Sequence, residues 1–419
     1  MNTYQIIILL SYLCVTAFGY WLQFINLGHL KTYGHIVPEE FKGYIDEGLL
    51  KKTRDYTLEH SRFGFIESAF DNIVVIIFFF GGLLNIYNSW VASFNLSFIL
   101  WGILFFLILI FAKTIFAIPF DLYGTFRIEN KYGFNTMTGK LWLADFLKSI
   151  LLSTILISIM SAAAFFLIKA SPEYWWFFVW LFFLAFSLFM MYISPYVIEP
   201  LFNKFTPVED EEMEGSIKDL MKKAGIKVSR VFKMDASKRS KHTNAYFSGI
   251  GKVKRIVLYD TLLQIMNKNE ILSVLAHEAG HWKKKHVLKM LVVIESLSFI
   301  GIYISFRIIK TGILGRIFDI QSDTIFVNLI LLGFIGGIVS FPLTPLFSYL
   351  SRRHEKEADK FAAEMTENPE AMATSLIKLS KDNLSNLYPH SFYASFYYSH
   401  PPVVQRIREI TGEKKYKGG

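Results

Sequence analysis

Cysteine is nearly absent from this sequence of 419 residues, which contains only Cys14. A single thiol cannot form an intrachain disulfide, and it excludes a zinc site built from several cysteines. Charged residues are also scarce, because they make up 19% of the chain whereas soluble domains carry about 25%. Apolar residues take their place: 53% of the chain is hydrophobic and 41 residues are phenylalanine. The composition therefore predicts a polytopic membrane protein.

The net charge of +9 raises the question of nucleic acid as a partner. No nucleic-acid-binding module accompanies the charge. In a membrane protein, Lys and Arg collect in the loops on the cytoplasmic side. We therefore expect membrane lipids, and no nucleic acid, among the partners of this chain.

Apolar runs long enough to cross a bilayer, about 17 to 25 residues each, recur along the chain. We place seven spans at 4–24, 72–90, 95–118, 147–170, 174–201, 286–309 and 324–351. The first run could be a cleaved signal peptide, but Tyr20, Trp21 and Phe24 stand where small residues are needed for cleavage. We interpret it as a retained signal-anchor.

Lys and Arg are distributed unevenly between the predicted loops. The first, third and fifth loops and the C-terminal tail are rich in them, whereas no basic residue precedes the first span and the second loop has none. The positive-inside rule then places the N-terminus outside and the odd loops inside. The bacterial inner membrane and the endoplasmic reticulum both fit this multi-pass topology.

The segment HEAGH at 277–281 has the pattern of a zinc-binding motif of metalloproteases. His277 and His281 are four residues apart, so both imidazoles lie on one face of a helix and can bind the same Zn²⁺. Glu278 can then act as general base toward a water molecule that the metal activates. Gly280 allows another element to pack closely over the metal.

A third zinc ligand is expected after the seventh span, which ends on the same membrane face as the two histidines. Glu355 is our choice, because His₂Glu is a common set of ligands for catalytic zinc; Glu357 and His354 are the competing candidates. Asp359, one turn beyond Glu355, can accept a hydrogen bond from a ligand imidazole. A third histidine just downstream is excluded as a metzincin-type ligand, because Lys284 and Val287 occupy the positions of that motif.

The chain resembles the integral-membrane CAAX prenyl endopeptidases of the CAAX prenyl protease 1, or sterile-24, type. The resemblance consists of 129–135, 239–247, 255–262, the motif at 277–281, 351–359, and 399–402 with Arg406. It extends over nearly the whole chain, from about 50 to 410, in the order of the family.

The resemblance implies a fold and a set of residues. We expect an all-α polytopic membrane protein in which about seven transmembrane helices enclose a water-filled chamber, with a zinc-metallopeptidase domain on the cytosolic side. It implies one Zn²⁺ per chain, catalysis by Glu278, an oxyanion contact from His400, and a place near the site for Arg406. The substrates it implies are C-terminally prenylated peptides or proteins that lose their last three residues.

A small β-hairpin is predicted near the zinc motif, from two strand-like stretches around a Gly-containing turn at 248–252. Asn244, Ala245 and Tyr246 lie on its first strand. An exposed strand edge beside a zinc site can bind an extended peptide by β-augmentation, so we expect these residues to bind substrate.

These features divide the chain into parts. We predict an N-terminal region of five spans at 1–201, a cytosolic metallopeptidase insert at 202–285, two spans at 286–351, and a C-terminal part of the metallopeptidase domain at 352–419.

Three further hypotheses concern function and polarity within the membrane. One alternative function is a quality-control zinc protease acting on membrane proteins. Another is a seven-helix transporter or receptor that binds metal incidentally, although paired Gly/Pro-interrupted spans are missing from the sequence. Glu295 lies near the middle of the sixth span, so we expect it to face water in a chamber or to remain protonated.

Overall fold

The computed structural model describes residues 1–248 and 253–412. Within them, seven helices are long and apolar enough to cross a membrane. They are Thr3–Tyr33, Glu47–Phe80, Phe98–Tyr132, Gly139–Ala170, Trp175–Phe202, His286–Thr311 and Ile325–Thr366. The predicted number of spans is therefore confirmed.

The α-helices of the described chain are α1 (Thr3–Tyr33), α2 (Glu47–Phe80), α3 (Leu83–Ala92), α4 (Phe98–Tyr123), α5 (Asn130–Tyr132), α6 (Gly139–Ala170), α7 (Trp175–Ile193), α8 (Glu199–Phe202), α9 (Glu211–Lys223), α10 (Asp260–Ile265), α11 (Lys268–Lys283), α12 (His286–Thr311), α13 (Ile313–Ile317), α14 (Ile325–Ser340), α15 (Thr344–Thr366), α16 (Pro369–Asp382), α17 (Ser391–Tyr397) and α18 (Val403–Thr411). The strands are β1 (Phe205–Pro207), β2 (Lys227–Met234), β3 (Ala245–Ser248) and β4 (Val253–Tyr259). Short 3₁₀ or π-helical segments join several helices, as at Gly124–Glu129 and Ser194–Ile198.

The second span differs from its predicted position at 72–90. Its helix α2 begins at Glu47, where the side chain of Asp46 accepts a hydrogen bond from the Leu49 N–H, and ends at Phe80. Gly82 then adopts a φ of +83°, a left-handed conformation that glycine tolerates, and the chain turns into the separate helix α3. The apolar run continues across this break, so hydropathy alone placed the span too late.

The connections between spans gather at two ends of the bundle. At one end, polar contacts join the N-terminus and the second, fourth and sixth loops through the pairs Asn2–Ile317, Asn85–Asp319, Asn88–Ser322 and Glu173–Lys310. At the other end, the odd loops contact the segment after the fifth span and the C-terminal region through the pairs Tyr56–Glu129, Arg239–Asp145, Tyr246–Glu199 and Arg408–Glu40. The even and the odd loops thus lie at opposite ends of the bundle; which end faces the cytosol stays a prediction.

The spans pack loosely against one another. In the most apolar window of each span, between 0% and 22% of the residues are buried. Most residues of these windows are therefore accessible in the isolated chain, as helix faces that contact lipid would be; the expected water-filled chamber stays a prediction. Glu295 is half-buried in this region and its Oε2 lies 3.3 Å from Ser298 Oγ; its exposure to chamber water stays a prediction.

A mixed four-stranded sheet lies at the end of the bundle that carries the odd loops. Its strand order is β1-β2-β4-β3, with β2 and β4 parallel and β3 and β4 antiparallel. The predicted hairpin is the β3–β4 pair; part of its turn, 249–252, lies outside the described residues. The strands β1 and β2 enlarge the expected hairpin into a sheet.

Helix α11 lies at the centre of the largest hydrophobic core. Its Leu275, Ala276 and Ala279 are fully buried, together with Ile256 and Leu258 of β4. Helices α9, α15 and α16 and strand β3 also contact α11. The helix that carries the zinc motif is therefore held on several sides by rigid elements.

Candidate metal centre

The start of α11 explains why the motif is helical and fixed. Asn267 caps the helix, because its side chain accepts a hydrogen bond from the Glu270 N–H while the Glu270 side chain accepts one from the Asn267 N–H. Glu270 is buried and forms an ion pair of 2.7 Å with Lys378 of α16. One helical turn separates His277 from His281, and their Nε2 atoms lie 3.1 Å apart.

Helix α15 carries the acidic candidate to the two histidines. It follows α14 after one 3₁₀ turn at Phe341–Leu343, so that the seventh candidate span and its extension run from Ile325 to Thr366. Glu355 Oε2 lies 3.3 Å from His277 Nε2, and Glu355 Oε1 lies 3.1 Å from His281 Nε2. The two helices approach closely at Gly280, where a Cβ atom would lie 3.0 Å from Ala358 Cα.

The donor set fits a tetrahedral metal ion. Bonds of about 2.0–2.1 Å at tetrahedral angles separate neighbouring ligand atoms by about 3.3 Å, which matches the spacing of the three side chains. Glu355 is 5% exposed, and its Oε2 accepts no hydrogen bond within the described chain. His277, His281 and Glu355 form the group of potential metal ligands that the described residues contain. Their ligation of zinc stays a prediction.

Asp359 and Arg406 lie on the side of His277 that faces away from the proposed metal position. Asp359 Oδ1 lies 2.7 Å from His277 Nδ1, on the side of the ring opposite Nε2. Arg406 donates to both oxygens of Asp359, from Nε at 2.8 Å and from Nη2 at 2.7 Å. An acceptor at Nδ1 favours the tautomer whose Nε2 lone pair faces the metal. Asp359 thus lies where the expected supporting role requires it.

The electrostatics of the site favour a positive charge beside the carboxylates. Burial opposes protonation of His277, but Asp359 and Glu355 outweigh it and raise the pKa of His277 to about 9. Burial raises the pKa of Glu278, and the nearby His277 and His281 offset this only in part. A glutamate whose pKa lies above its usual value is better matched to proton transfer near neutral pH.

His400 reaches the same centre from the segment between α17 and α18. Its Nε2 lies 3.4 Å from Glu355 Oε1, and more than half of its side chain is exposed. It borders an open cavity of about 520 Å³ that Arg406 and Tyr398 also line. Pro401 and Pro402 lie between the two helices. Arg406 donates to Asp359, which in turn faces His277; its contact with substrate stays a prediction.

The competing ligand candidates point elsewhere. Glu357 Oε2 lies 3.1 Å from His286 Nε2, and the ring of His354 stacks on His286 with centroids 4.1 Å apart. His286 itself is 3% exposed, and its Nδ1 lies 3.0 Å from His281 Nδ1. On a continuous helix His286 would point well away from His281. Lys285 breaks the helix with a φ of +58° and turns His286 back toward the site, a contact that the spacing alone does not indicate.

The predicted substrate-binding strand lies beside the metal-motif helix. Strand β3 pairs with β4 on one side, is last in the strand order, and contacts α11. Asn244 is exposed, Ala245 is buried, and Tyr246 Oη donates to Glu199 Oε2 at 2.7 Å. Because Asn244 O accepts from the Tyr259 N–H, the alternation of an antiparallel ladder directs the N–H and C=O of Ala245 away from β4.

Comparison with known proteins agrees with this geometry. Residues 26–204 match the model of the CAAX prenyl protease N-terminal region with five membrane helices, and residues 207–414 match that of peptidase family M48. A CAAX prenyl protease 1 homolog of Arabidopsis thaliana is 33% identical over 392 residues, covering 90% of this chain and 91% of its own. The metalloprotease YhfN of Bacillus subtilis is 29% identical, covering 97% and 96%.

The crystal structure of S. mikatae Ste24p has the same fold as this chain. The two superpose with a TM-score of 0.91 at 26% identity, covering 98% of this chain and 99% of that one.

The fold and the site define a class. Seven candidate spans, a helix with two histidines and an adjacent glutamate, a second glutamate from the extension of the seventh span, and the match to peptidase family M48 make this chain an integral-membrane metalloendopeptidase of the zinc type. The chain belongs to peptidase family M48 and carries the N-terminal membrane region of the CAAX prenyl proteases, so the resemblance seen in the sequence is confirmed.

Proposed function

We propose that this chain is a zinc endopeptidase that cleaves peptide bonds near the C-terminus of prenylated or similar peptides. The observation that carries the proposal is the convergence of His277, His281 and Glu355 within one ligand spacing, with Glu278 on the same helix. Three protein ligands leave a fourth position for water or substrate, which is the arrangement of catalytic zinc sites.

The chain's own residues divide the chemistry between them. Zinc, when bound by His277, His281 and Glu355, would supply Lewis-acid activation of water and of the scissile carbonyl. Glu278 accepts the proton of the attacking water and returns it to the leaving amine. An N–H of the His400 imidazole donates to the oxygen that becomes negative in the tetrahedral transition state. Asp359 and Arg406 hold His277 in the tautomer that presents Nε2.

The substrate proposal combines the strand edge with the chemistry of the relatives. An extended peptide can pair with β3 at Ala245, beside α11, through the outward C=O and through the N–H, which donates to Asn244 Oδ1 at 2.8 Å in the free chain; this pairing would bring a scissile bond to the site in a fixed register. Asn244 and Tyr246 flank that position. The relatives named CAAX prenyl protease 1 homolog suggest a prenylated C-terminus, and an open chamber in the membrane could take up the lipid.

The orientation proposal follows the distribution of basic residues. The odd loops and the C-terminal segment, which share one end of the bundle with the sheet, carry the excess of Lys and Arg. We infer that this end faces the cytosol and that the N-terminus lies outside.

Cleavage of a farnesylated C-terminal peptide by the purified chain is the direct test. We expect kcat/KM for that peptide to exceed that for the same peptide without the lipid by at least about tenfold, because burial of a long apolar chain contributes far more than 1.4 kcal/mol. A zinc chelator should abolish cleavage, and added Zn²⁺ should restore it.

Two outcomes would change the proposal. Equal turnover of both peptides would remove the prenyl specificity. Preference for unfolded membrane proteins over the farnesylated peptide would favour the alternative of a quality-control protease.

A further inference from the structure

His281 and His277 differ in what holds the ring nitrogen remote from the metal. His277 Nδ1 faces the carboxylate of Asp359, whereas His281 Nδ1 faces the Nδ1 of another imidazole, His286, at 3.0 Å. Two imidazole nitrogens at this distance form a hydrogen bond only when one of them carries a proton. The direction of that bond decides which tautomer His281 adopts.

Glu357 sets the direction. Its carboxylate accepts hydrogen bonds only, and its Oε2 lies 3.1 Å from His286 Nε2, so the proton of a neutral His286 lies on Nε2. The Nδ1 of His286 is then an acceptor, His281 donates from Nδ1, and the Nε2 lone pair of His281 faces His277 and Glu355. The opposite direction would place a proton on His281 Nε2 and block the metal position.

His286 is built into this place. It is 3% exposed, although it begins a predicted span, and the ring of His354 stacks on it at an interplanar angle of 10°. Glu357 is held in turn by Arg353, whose Nε donates to Oε1 at 3.3 Å. The left-handed residue Lys285 between α11 and α12 makes the contact with His281 geometrically accessible.

We propose that His286 is a positioning residue for the metal centre, and that the relay His281–His286–Glu357 fixes the metal-binding tautomer of His281. This inference rests on the proposed zinc site and adds a role for residues outside the ligand set. It predicts that loss of the acceptor at position 286 weakens zinc binding even where the chain remains folded.

Zinc affinity of the purified full-length chain tests the relay without reference to activity. We expect His286→Leu, which removes the acceptor, to weaken zinc binding in competition with a chromophoric chelator by about 10–100-fold. His286→Asn should bind within about threefold of wild type, since its Oδ1 can replace Nδ1 as acceptor. In the Co²⁺-substituted chain, His286→Leu should alter the visible absorption of the metal and His286→Asn should preserve it.

His354→Leu is the matched control, because it removes the ring stacked on His286 and leaves the relay intact. If His286 served only to pack against His354, then His354→Leu would weaken zinc binding as much as His286→Leu. That result would overturn the proposal. Wild-type affinity in His286→Leu would overturn it too. Loss of zinc in wild type and variants alike would contradict the zinc site itself, which distinguishes the two failures.

A second inference comes from a cavity between the sheet and the ends of the spans that lie on the side of the odd loops. The basic cavity, as we call it, has a volume of about 590 Å³. Five cationic side chains line it: Lys148, Lys204, Lys238, Arg239 and Arg255. Arg239 and Lys148 are paired with Asp145, but no ion pair within the described chain engages Lys204, Lys238 or Arg255.

Arg255 is the unusual member of this set. It is 9% exposed, and its guanidinium lies between the rings of Phe205 and Phe232, at 4.3 and 4.4 Å from their centroids. Its Nη1 donates to Pro195 O at 2.6 Å, whereas its buried Nε has no hydrogen-bond partner within the described residues. A buried cation without an acidic partner is costly, and an anion in the cavity would offset that cost.

The remaining lining identifies the class of anion. Leu141, Leu201 and Phe202 border the cavity on the side of the membrane helices. The acidic residue Asp235 also lines it, and its Oδ1 accepts a hydrogen bond from the Lys204 N–H at 2.7 Å. A phosphate group that carries an apolar tail satisfies both surfaces. We infer that the basic cavity binds the phosphate of an anionic phospholipid headgroup, with Lys204 and Lys238 as exposed contacts and Arg255 as the buried one.

Native mass spectrometry of the full chain tests this site with defined lipids. We expect phosphatidylglycerol to bind more tightly than phosphatidylcholine, and the double variant Lys204→Gln/Lys238→Gln to lose about 30-fold in affinity for phosphatidylglycerol, since each basic residue near an anionic surface contributes about fivefold. Arg255 is left unchanged because its loss could disturb the sheet.

The exposed pair Lys222 and Lys223 on α9 provides the control with the same change in charge. Lys222→Gln/Lys223→Gln should retain wild-type affinity. Equal loss in both double variants, or equal binding of the two lipids, would overturn the site. Competition by inorganic phosphate as effective as that by phosphatidylglycerol would overturn the lipid as the source of the phosphate group.

Discussion

Replacing Glu278 with glutamine is expected to lower kcat/KM for peptide cleavage by on the order of 10²–10⁴-fold, which is the typical contribution of a general base. Glutamine preserves the size of the side chain and its neighbours on α11, but its amide cannot accept the water proton. The predicted ligands His277, His281 and Glu355 are unchanged, so zinc content should remain near one ion per chain.

Zinc analysis and peptide kinetics on the same preparation separate the two effects. Glu364→Gln is the control, because Glu364 lies on the exposed face of α15 and its side chain is 66% exposed. It should retain wild-type turnover. Comparable turnover by Glu278→Gln and the control would exclude Glu278 as the base.

The third ligand candidate shows how far sequence alone reaches. The zinc motif is local, since four residues of helix bring two histidines to one face. Glu355 is distant from the motif in sequence. The alternation of spans predicts it, because the seventh span ends on the same membrane face as the fifth loop. In the structure, α14 and α15, joined by the 3₁₀ turn Phe341–Leu343, lead from the seventh span to Glu355.

The relay partner shows where such reasoning stops. Helical periodicity directs His286 away from His281, and it fails because one residue, Lys285, leaves the helical region. The position of the second span failed for a similar reason at Gly82, where the chain turns while the hydropathy remains high. A backbone break of one residue leaves composition unchanged, so periodicity and hydropathy cannot locate it.

The sheet was only half predicted because its pairing is non-local. The antiparallel strands β3 and β4 are close in sequence and are joined by a recognisable turn pattern. Strand β2 pairs in parallel with β4, although β3 lies between them in the sequence. Parallel pairing needs a crossover connection, and its partner cannot be read from adjacent residues. The strand edge proposed for substrate binding, β3, belongs to the part that local patterns predict.

Replacing Glu355 with alanine should have the largest effect on the metal itself. It removes one of the three predicted ligands, whereas loss of an outer hydrogen-bond partner costs about 10–100-fold in metal affinity. We therefore expect zinc binding to weaken by more than about 100-fold and peptide cleavage to fall to background. The fold should survive, because Arg406 keeps both hydrogen bonds to Asp359.

Glu357→Ala is the decisive comparison, since Glu357 competed with Glu355 as third ligand and lies two residues away on the same helix. The geometry gives Glu357 contacts with His286 and Arg353 and none with the two motif histidines among the described residues. Glu357→Ala should therefore weaken zinc binding by about 10–100-fold, the typical loss for an outer hydrogen-bond partner. Its zinc affinity should remain clearly higher than that of Glu355→Ala. If both variants lost zinc equally and were equally stable to heat, Glu355 would not be distinguished from Glu357 as the third ligand.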